Sequence, residues 1–240
     1  RQMGKNKFII GIVVVIVVAI AGILLWLNFK QPTSFLSEAA MIEEMNSYTS
    51  SLNVKEIQDV LQLDEHHYFV PFVNYDGTKA MSFWKWDKAK WKLVNLTTHQ
   101  KMRWQLDEKD LSSSFIVWNR SSTEDATMKL LFYRERNFLS SGDYNHFFTP
   151  QVLLTEEITL SEYGITKVPE QWSKLMAELD KSAGVTNNSM FSFFNYNPNY
   201  LIAAEYNLED FETNGTESYW TGKADTTLEF IMYYDLDRIQ

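Results

Sequence analysis

Tryptophan and lysine alternate in the middle of the chain, and this pattern can serve binding. Trp84, Trp86, Trp91 and Trp104 lie close together, with lysines between them. If residues 78–86 form a strand, Trp84 and Trp86 share one face of it. An exposed face would be a stacking platform for envelope glycans or a contact patch for a protein partner, whereas a buried face would be core. The sequence leaves both alternatives open.

Four histidines are the only candidates for nitrogen ligands of a metal ion: His66, His67, His99 and His146. A zinc site needs several closely spaced ligands, and the chain contains neither cysteine nor an H-E-x-x-H pair. Adjacent residues of a strand point to opposite faces, so His66 and His67 cannot both serve one site without a bulge. We therefore predict no metal site and no cofactor.

Catalytic motifs are equally weak. Ser82 and Lys85 match the S-x-x-K spacing of penicillin-recognising enzymes, but that motif needs a helix, and the surrounding residues are typical of a strand. Acidic pairs such as Glu156 and Glu157 could hydrolyse glycosides only if two carboxylates faced each other across a cleft. The sequence therefore favours a non-enzymatic function, although enzyme activity stays uncertain.

The longest apolar stretch predicts a transmembrane helix over residues 8–27, from Phe8 through Val15 and Val18 to Leu27. It contains no charged side chain, and about 20 apolar residues suffice to cross a bilayer. Trp26 would lie at the membrane interface. A cleaved signal peptide is the alternative, but its apolar core is usually only about 7–15 residues long. We favour an uncleaved signal-anchor.

The charges around this stretch predict its orientation. Arg1, Lys5 and Lys7 precede it, and positive charge tends to stay in the cytoplasm. We expect a cytoplasmic tail over residues 1–7, a single pass through the cell membrane, and an extracytoplasmic C-terminal body. Residues 1–30 hold four of the 22 basic groups and none of the 31 acidic groups, leaving 18 against 31, or −13, for the body. So acidic a body disfavours nucleic acid as a partner.

The remaining pattern predicts an α+β fold: the membrane helix, then a mainly antiparallel β domain with two or three short helices. Pro32 breaks the chain after the span, so residues 28–34 should be a stalk or hinge. Residues 35–240 should be one extracytoplasmic domain, with a subdomain break near 137–150. Helical spacing of apolar residues predicts helices over about 35–48, 54–63 and 169–184.

These features together favour an interaction module of the cell envelope. The absence of cysteine from a large extracytoplasmic domain is more typical of bacteria. Besides the lipid bilayer that holds residues 8–27, the expected partner is another envelope or membrane protein. The alternative is a cell-wall glycan-binding protein or glycan hydrolase that uses exposed tryptophans and a carboxylate pair.

Overall fold

The computed structural model describes residues 12–22, 26, 30–48, 52–124, 126–141, 145–187, 200–206, 211, 220–222 and 227–235. Residues 12–22 are helical (α1), and the side chains of Val15, Val18 and Trp26 are exposed. Phe8 and Leu27, the predicted ends of the span, lie outside the described residues. Among the helices that are described, none is both long enough and apolar enough to cross a membrane.

Over the residues that the structure describes, the body contains two further helices and sixteen strands. The helices are α2 (Glu38–Tyr48) and α3 (Glu170–Asn187). The strands are β1 (Val54–Ile57), β2 (Leu61–Asp64), β3 (His67–Asn74), β4 (Lys79–Asp87), β5 (Lys90–Thr97), β6 (Lys101–Asp107), β7 (Asp110–Asn119), β8 (Ala126–Arg134), β9 (Asn137–Ser141), β10 (Asn145–Thr149), β11 (Val152–Leu160), β12 (Tyr163–Lys167), β13 (Tyr200–Tyr206), β14 (Trp220–Gly222), β15 (Thr227–Phe230) and β16 (Met232–Tyr233).

Three sheets and one separate hairpin organise these strands. The first sheet has the order β1-β3-β4-β5-β14, with β2 also paired to β3. The second sheet is β12-β7-β6-β15, the third is β11-β8-β13-β16, and β9 pairs with β10. All described pairings are antiparallel except β13 with β16. The expectation of mainly antiparallel sheets with few helices is therefore confirmed.

The predicted helix over residues 54–63 is wrong, because this segment forms β1 and β2 on one edge of β3. Leu61 and Leu63 are half-buried while Gln62 and Asp64 are exposed, an alternation of period two that belongs to a strand. The two strands pair with β3 on either side of Pro71, which has no backbone N–H to give to a ladder.

Three apolar clusters lie between these layers. One face of the first sheet packs against Met41 and Met45 of α2. Its other face meets the second sheet around Phe83 and Trp104. The second and third sheets enclose α3, which the sequence predicted at 169–184, and Trp172 is completely buried there. The middle sheet thus has apolar contacts on both of its faces.

Candidate functional site

An aromatic cluster on the first sheet holds the segment that follows α1. We call Tyr68, Trp84, Trp86 and Trp91 the aromatic clamp; residues 30–36 run across it. The indole Nε1 of Trp86 donates a hydrogen bond to the carbonyl oxygen of Lys30 at 2.9 Å, and that of Trp91 donates to Thr33 at 3.1 Å. Both acceptors are backbone atoms of a segment without regular secondary structure.

Phe35 fills the centre of the clamp. Its ring stacks on Tyr68 with a centroid distance of 4.1 Å, and it meets Trp84 and Trp91 edge-on at 5.8 and 5.0 Å. Offset and edge-to-face pairs of this kind stabilise by about 0.5–1.5 kcal/mol each beyond the area they bury. The chain after α1 is thus attached to the sheet by hydrogen bonds and by an aromatic anchor.

The hairpin of β4 and β5 explains why the clamp forms at this position. Trp86 pairs directly with Trp91 across the two strands, with ring centroids 5.3 Å apart. Lys88 and Ala89 between them have φ of 50° and 66°, the two positive values that a tight type I′ turn requires. The turn therefore sets the two indoles side by side.

The structure brings three of the four predicted tryptophans together and separates the fourth. All four are at most 9 % exposed. Trp104 lies on the opposite side of the first sheet, where it meets Phe83 and His67 edge-on at 5.1 and 5.3 Å. None of these indoles has an open face, so ligand binding through Trp84, Trp86 and Trp91 stays a prediction that requires residues 30–36 to move away.

The other sequence candidates whose side chains the structure describes do not assemble into a site, and the side chain of His146 lies outside that description. His67 Nδ1 lies 2.8 Å from Asp64 Oδ1, whereas His66 is exposed. Ser82 donates to the carbonyl of Val70 at 3.0 Å and accepts a hydrogen bond from Trp84 Nε1 at 2.9 Å, so it has a structural role. Within the part of the chain that the structure describes, no three His, Asp or Glu side chains converge as metal ligands would.

Lys101, which no sequence motif singles out, lies against two aromatic rings. Lys101 Nζ lies 4.0 Å from the ring centroid of Tyr206 and 4.5 Å from that of Phe211. Burial lowers the pKa of Lys101 to about 8. Burial together with Tyr233 raises the pKa of Tyr206 to about 12. Burial and the nearby Lys101 lower the pKa of His99 as well.

A lysine amine that is partly neutral near pH 8 could act as an acid, base or nucleophile. The described residues place no carboxylate against Lys101, and the rings above it are those that stabilise a cation. The arrangement is therefore explained by cation–π packing at the margin of the core around α3. The sequence does not predict this contact, because Lys101 and Tyr206 lie in strands of different sheets.

A polar joint connects the first and second sheets. Glu162 accepts hydrogen bonds from Lys79 Nζ at 2.5 Å and from Gln58 Nε2 at 3.1 Å. Asn119 Nδ2 donates to Gln58 Oε1 at 2.7 Å and to the carbonyl of Ala80 at 2.8 Å. These bonds fix the end of β7 against the start of β4, and they have no arrangement typical of catalysis.

The arrangement most suggestive of function is thus the aromatic clamp, whose occupant is the chain's own segment after α1. Its parts are contributed by β3, β4 and β5 and by the residues before α2. Neither a family model, nor a curated protein, nor a solved structure matches this chain.

Proposed function

We propose that this chain is a single-pass, membrane-anchored module of the bacterial cell envelope, whose extracytoplasmic domain contacts another envelope or membrane protein. The observation that carries the proposal is the aromatic clamp. It attaches the domain to the segment that immediately follows the apolar run of residues 8–27.

The exposed side chains of α1 support the anchor. Every large aliphatic side chain at positions 12–18 is about half exposed or more, as is Ile20. Apolar side chains on all sides of a helix are typical of a helix surrounded by lipid. Water would disfavour so much contiguous apolar surface.

The short distance between the anchor and the clamp supports a fixed position above the membrane. Only two residues, Asn28 and Phe29, separate Leu27 from Lys30, and the three residue steps between them span at most about 11 Å. The carbonyl of Lys30 is already bonded to Trp86. The proposed module therefore stands close to the bilayer, with little free tether, where it would meet proteins of the same membrane.

An interaction module agrees better than an enzyme with the chemistry of the described residues. The clamp tryptophans are buried, and the buried cations are held by carbonyls, rings or single acidic partners. Arg120 illustrates this, since its guanidinium donates to the carbonyls of Leu160 and Glu124 at 2.8 Å each. Such groups hold strands and loops together.

Membrane fractionation tests the anchor. Replacing Val15 and Val18 together with arginine should release the chain from the membrane, because each central arginine costs roughly 2.5–3.5 kcal/mol of insertion free energy. The matched control is Tyr75→Arg, which adds charge at an exposed aromatic position of the body. The double variant remaining in the carbonate-washed membrane would contradict the spanning role.

Two further measurements test the orientation and the partner. Protease added to intact cells should cleave beyond Lys30, and protection of the whole body would contradict the outward orientation. Mild crosslinking of the intact chain in its native membrane should yield one stoichiometric envelope protein. Recovery of cell-wall glycan in its place would favour the glycan-binding alternative.

A further inference from the structure

A long hairpin extends beyond the third sheet. The pairing of β8 with β11 ends at Arg134 and Val152, and the pairing of β9 with β10 starts at Asn137 and Thr149. Two residues on each strand separate these pairs, so the register continues unchanged. We call residues 135–151 the arm. Within the described part of the chain, β9 and β10 pair only with each other.

The arm carries an exposed aromatic pair. Phe138 and Phe148 face each other across its two strands and are 62 % and 69 % exposed. Large apolar side chains that remain so open, paired on a projecting element, are typical of a contact surface. The arm carries only one net negative charge, from Glu135 and Asp143 against Arg136, whereas the body as a whole is strongly acidic.

Contacts between the sheets show towards which end of the domain the arm extends. At the start of β8, Ala126 pairs with Leu160, whose carbonyl is bonded to Arg120 just after β7. Towards the other end of β8, the ring of Phe132 lies 6.1 Å from Trp172. The next residue of α3, Ser173, donates to the carbonyl of Leu111 near the start of β7 at 3.3 Å. The arm thus leaves from the end where β7 begins.

The clamp lies towards the same end. Asn119, at the end of β7, is bonded to the carbonyl of Ala80 at the start of β4. Phe83, further along β4, contacts Trp104, which pairs with Phe115. Traced from Asn119 back to its start, β7 therefore runs alongside β4 from Ala80 towards Trp86. Trp86 in turn donates a hydrogen bond to the carbonyl oxygen of Lys30.

We propose that Phe138 and Phe148 enter the interfacial region of the membrane in which residues 8–27 are anchored, as a second contact of the domain with the bilayer. The inference rests on the proposed anchor, because the anchor makes the end of the domain that holds Lys30 the end nearest to lipid. Phe138 lies four residues beyond Arg134, about 13 Å at the rise of an extended strand. Phenylalanine is among the apolar residues that interfacial elements bury at the headgroup boundary, and an arm with one net negative charge is repelled less by anionic lipid than the strongly acidic remainder of the body.

The absence of cysteine allows a direct test with the full chain, since one introduced cysteine is a unique labelling site. Phe148→Cys is labelled with an environment-sensitive nitrobenzoxadiazole probe, and the protein is reconstituted into phosphatidylcholine vesicles. The matched control is Tyr75→Cys, because Tyr75 is 67 % exposed in the β3–β4 turn, beside the opposite end of β7. We expect a blue-shifted emission at position 148, with loss of most of its intensity when spin-labelled lipids are included. The probe at position 75 should show neither change.

A second variant tests whether the aromatic residues, and not the attached probe itself, bring position 148 into contact with lipid. Adding Phe138→Ser to the labelled Phe148→Cys chain should reduce the quenching, because it removes the ring of the pair that Phe148→Cys leaves in place. Both positions are exposed, so circular dichroism should show an unchanged fold.

Three results would overturn the inference. Equal, unquenched emission at positions 148 and 75, in protein that stays with carbonate-washed vesicles, would refute the lipid contact and leave the anchor standing. A blue shift that grows with the protein-to-lipid ratio, without quenching by lipid, would assign the pair to a second copy of the chain. Loss of the unmodified chain from the vesicles would refute the anchor, and this inference with it.

Discussion

The clamp on the first sheet and the core around α3 are both rich in aromatic residues, but they use tryptophan differently. In the clamp, Trp86 and Trp91 donate hydrogen bonds to the backbone of a distant segment. In the core around α3, Trp172 is completely buried among apolar side chains, and its Nε1 finds no partner among the described residues. Burial stabilises the core, whereas the hydrogen bonds of the clamp select which segment is held.

The comparison teaches that a buried tryptophan is not by itself evidence of a binding site. Trp84 and Trp172 are equally buried, yet only Trp84 contacts the segment after α1 through Phe35. The two regions differ in what the tryptophans contact. The clamp indoles contact the backbone of the segment after α1, whereas Trp172 contacts side chains of the core around α3. The predictions below test this difference, from the largest expected effect to the smallest.

Truncating Trp172 should have the largest effect. Trp172→Ala leaves a cavity under α3 and should reduce the free energy of unfolding by about 3–5 kcal/mol. Denaturant titration of the full chain in mild detergent, followed by near-UV circular dichroism, measures this change. Trp172→Phe is the matched control and should cost less, since it keeps most of the apolar volume and removes an unpaired N–H. An unfolding midpoint of wild-type value for Trp172→Ala would show that the helix packs loosely.

The margin of the same core should respond to pH. Burial lowers the pKa of Lys101 to about 8 in the folded chain, below the value of about 10.4 expected when unfolded. The folded state therefore binds fewer protons than the unfolded state between these values, and stability should rise with pH there. Relative to Lys101→Met, the wild type should gain up to about 2 kcal/mol between pH 7.5 and 9.5. Parallel stability profiles of the two proteins would contradict the buried position of the amine.

Removing both indole donors of the clamp should have a local effect. Trp86→Phe with Trp91→Phe keeps the rings but removes two hydrogen bonds, worth together about 1–3 kcal/mol. We expect faster trypsin cleavage after Lys30, with little change in global unfolding. On the proposed anchor, this cleavage would release the body from the membrane. The control Trp104→Phe lies outside the clamp and should not change this cleavage rate. Equal rates in all three proteins would mean that the hydrogen bonds do not hold residues 30–36.

The polar joint should make the smallest contribution. Lys79→Met removes a largely buried partner of Glu162 and should cost about 1 kcal/mol in the free energy of unfolding. The comparison is Lys174→Met, which breaks an exposed pair with Glu170 on α3 and should leave the unfolding midpoint unchanged. A larger loss of unfolding free energy for Lys174→Met than for Lys79→Met would contradict the stabilising role of the polar joint.

Elements with a local signal could be predicted from the sequence. Trp172 and Met176 recur at helical spacing, and both are buried in α3. Asp76 and Gly77 form a turn, as is typical of an Asp-Gly pair between two strands, with φ of 85° at the glycine and a hydrogen bond from Thr78 N to Asp76 Oδ1 at 2.8 Å. In each case neighbouring residues alone determine the conformation.

The features that the sequence predicted wrongly or did not predict depend on contacts between residues that are distant in the chain. Residues 54–63 have apolar side chains at helical spacing, but pairing with β3 determines their conformation. The clamp could not be foreseen, because nothing near Trp86 in the sequence indicates that Lys30 will accept its hydrogen bond. The surroundings of Lys101 likewise depend on which strands become neighbours.

The attachment of Lys30 and Thr33 has a mechanical consequence. On the proposed anchor, only Asn28 and Phe29 lie between the predicted span and Lys30, so a tilt or rotation of the span in the bilayer would be transmitted to the β4–β5 hairpin. A partner that reorients the domain would in turn exert torque on the helix. The two indole hydrogen bonds would then be the first contacts of the clamp to bear this load, before the ring of Phe35 and the packing of α2 on the first sheet.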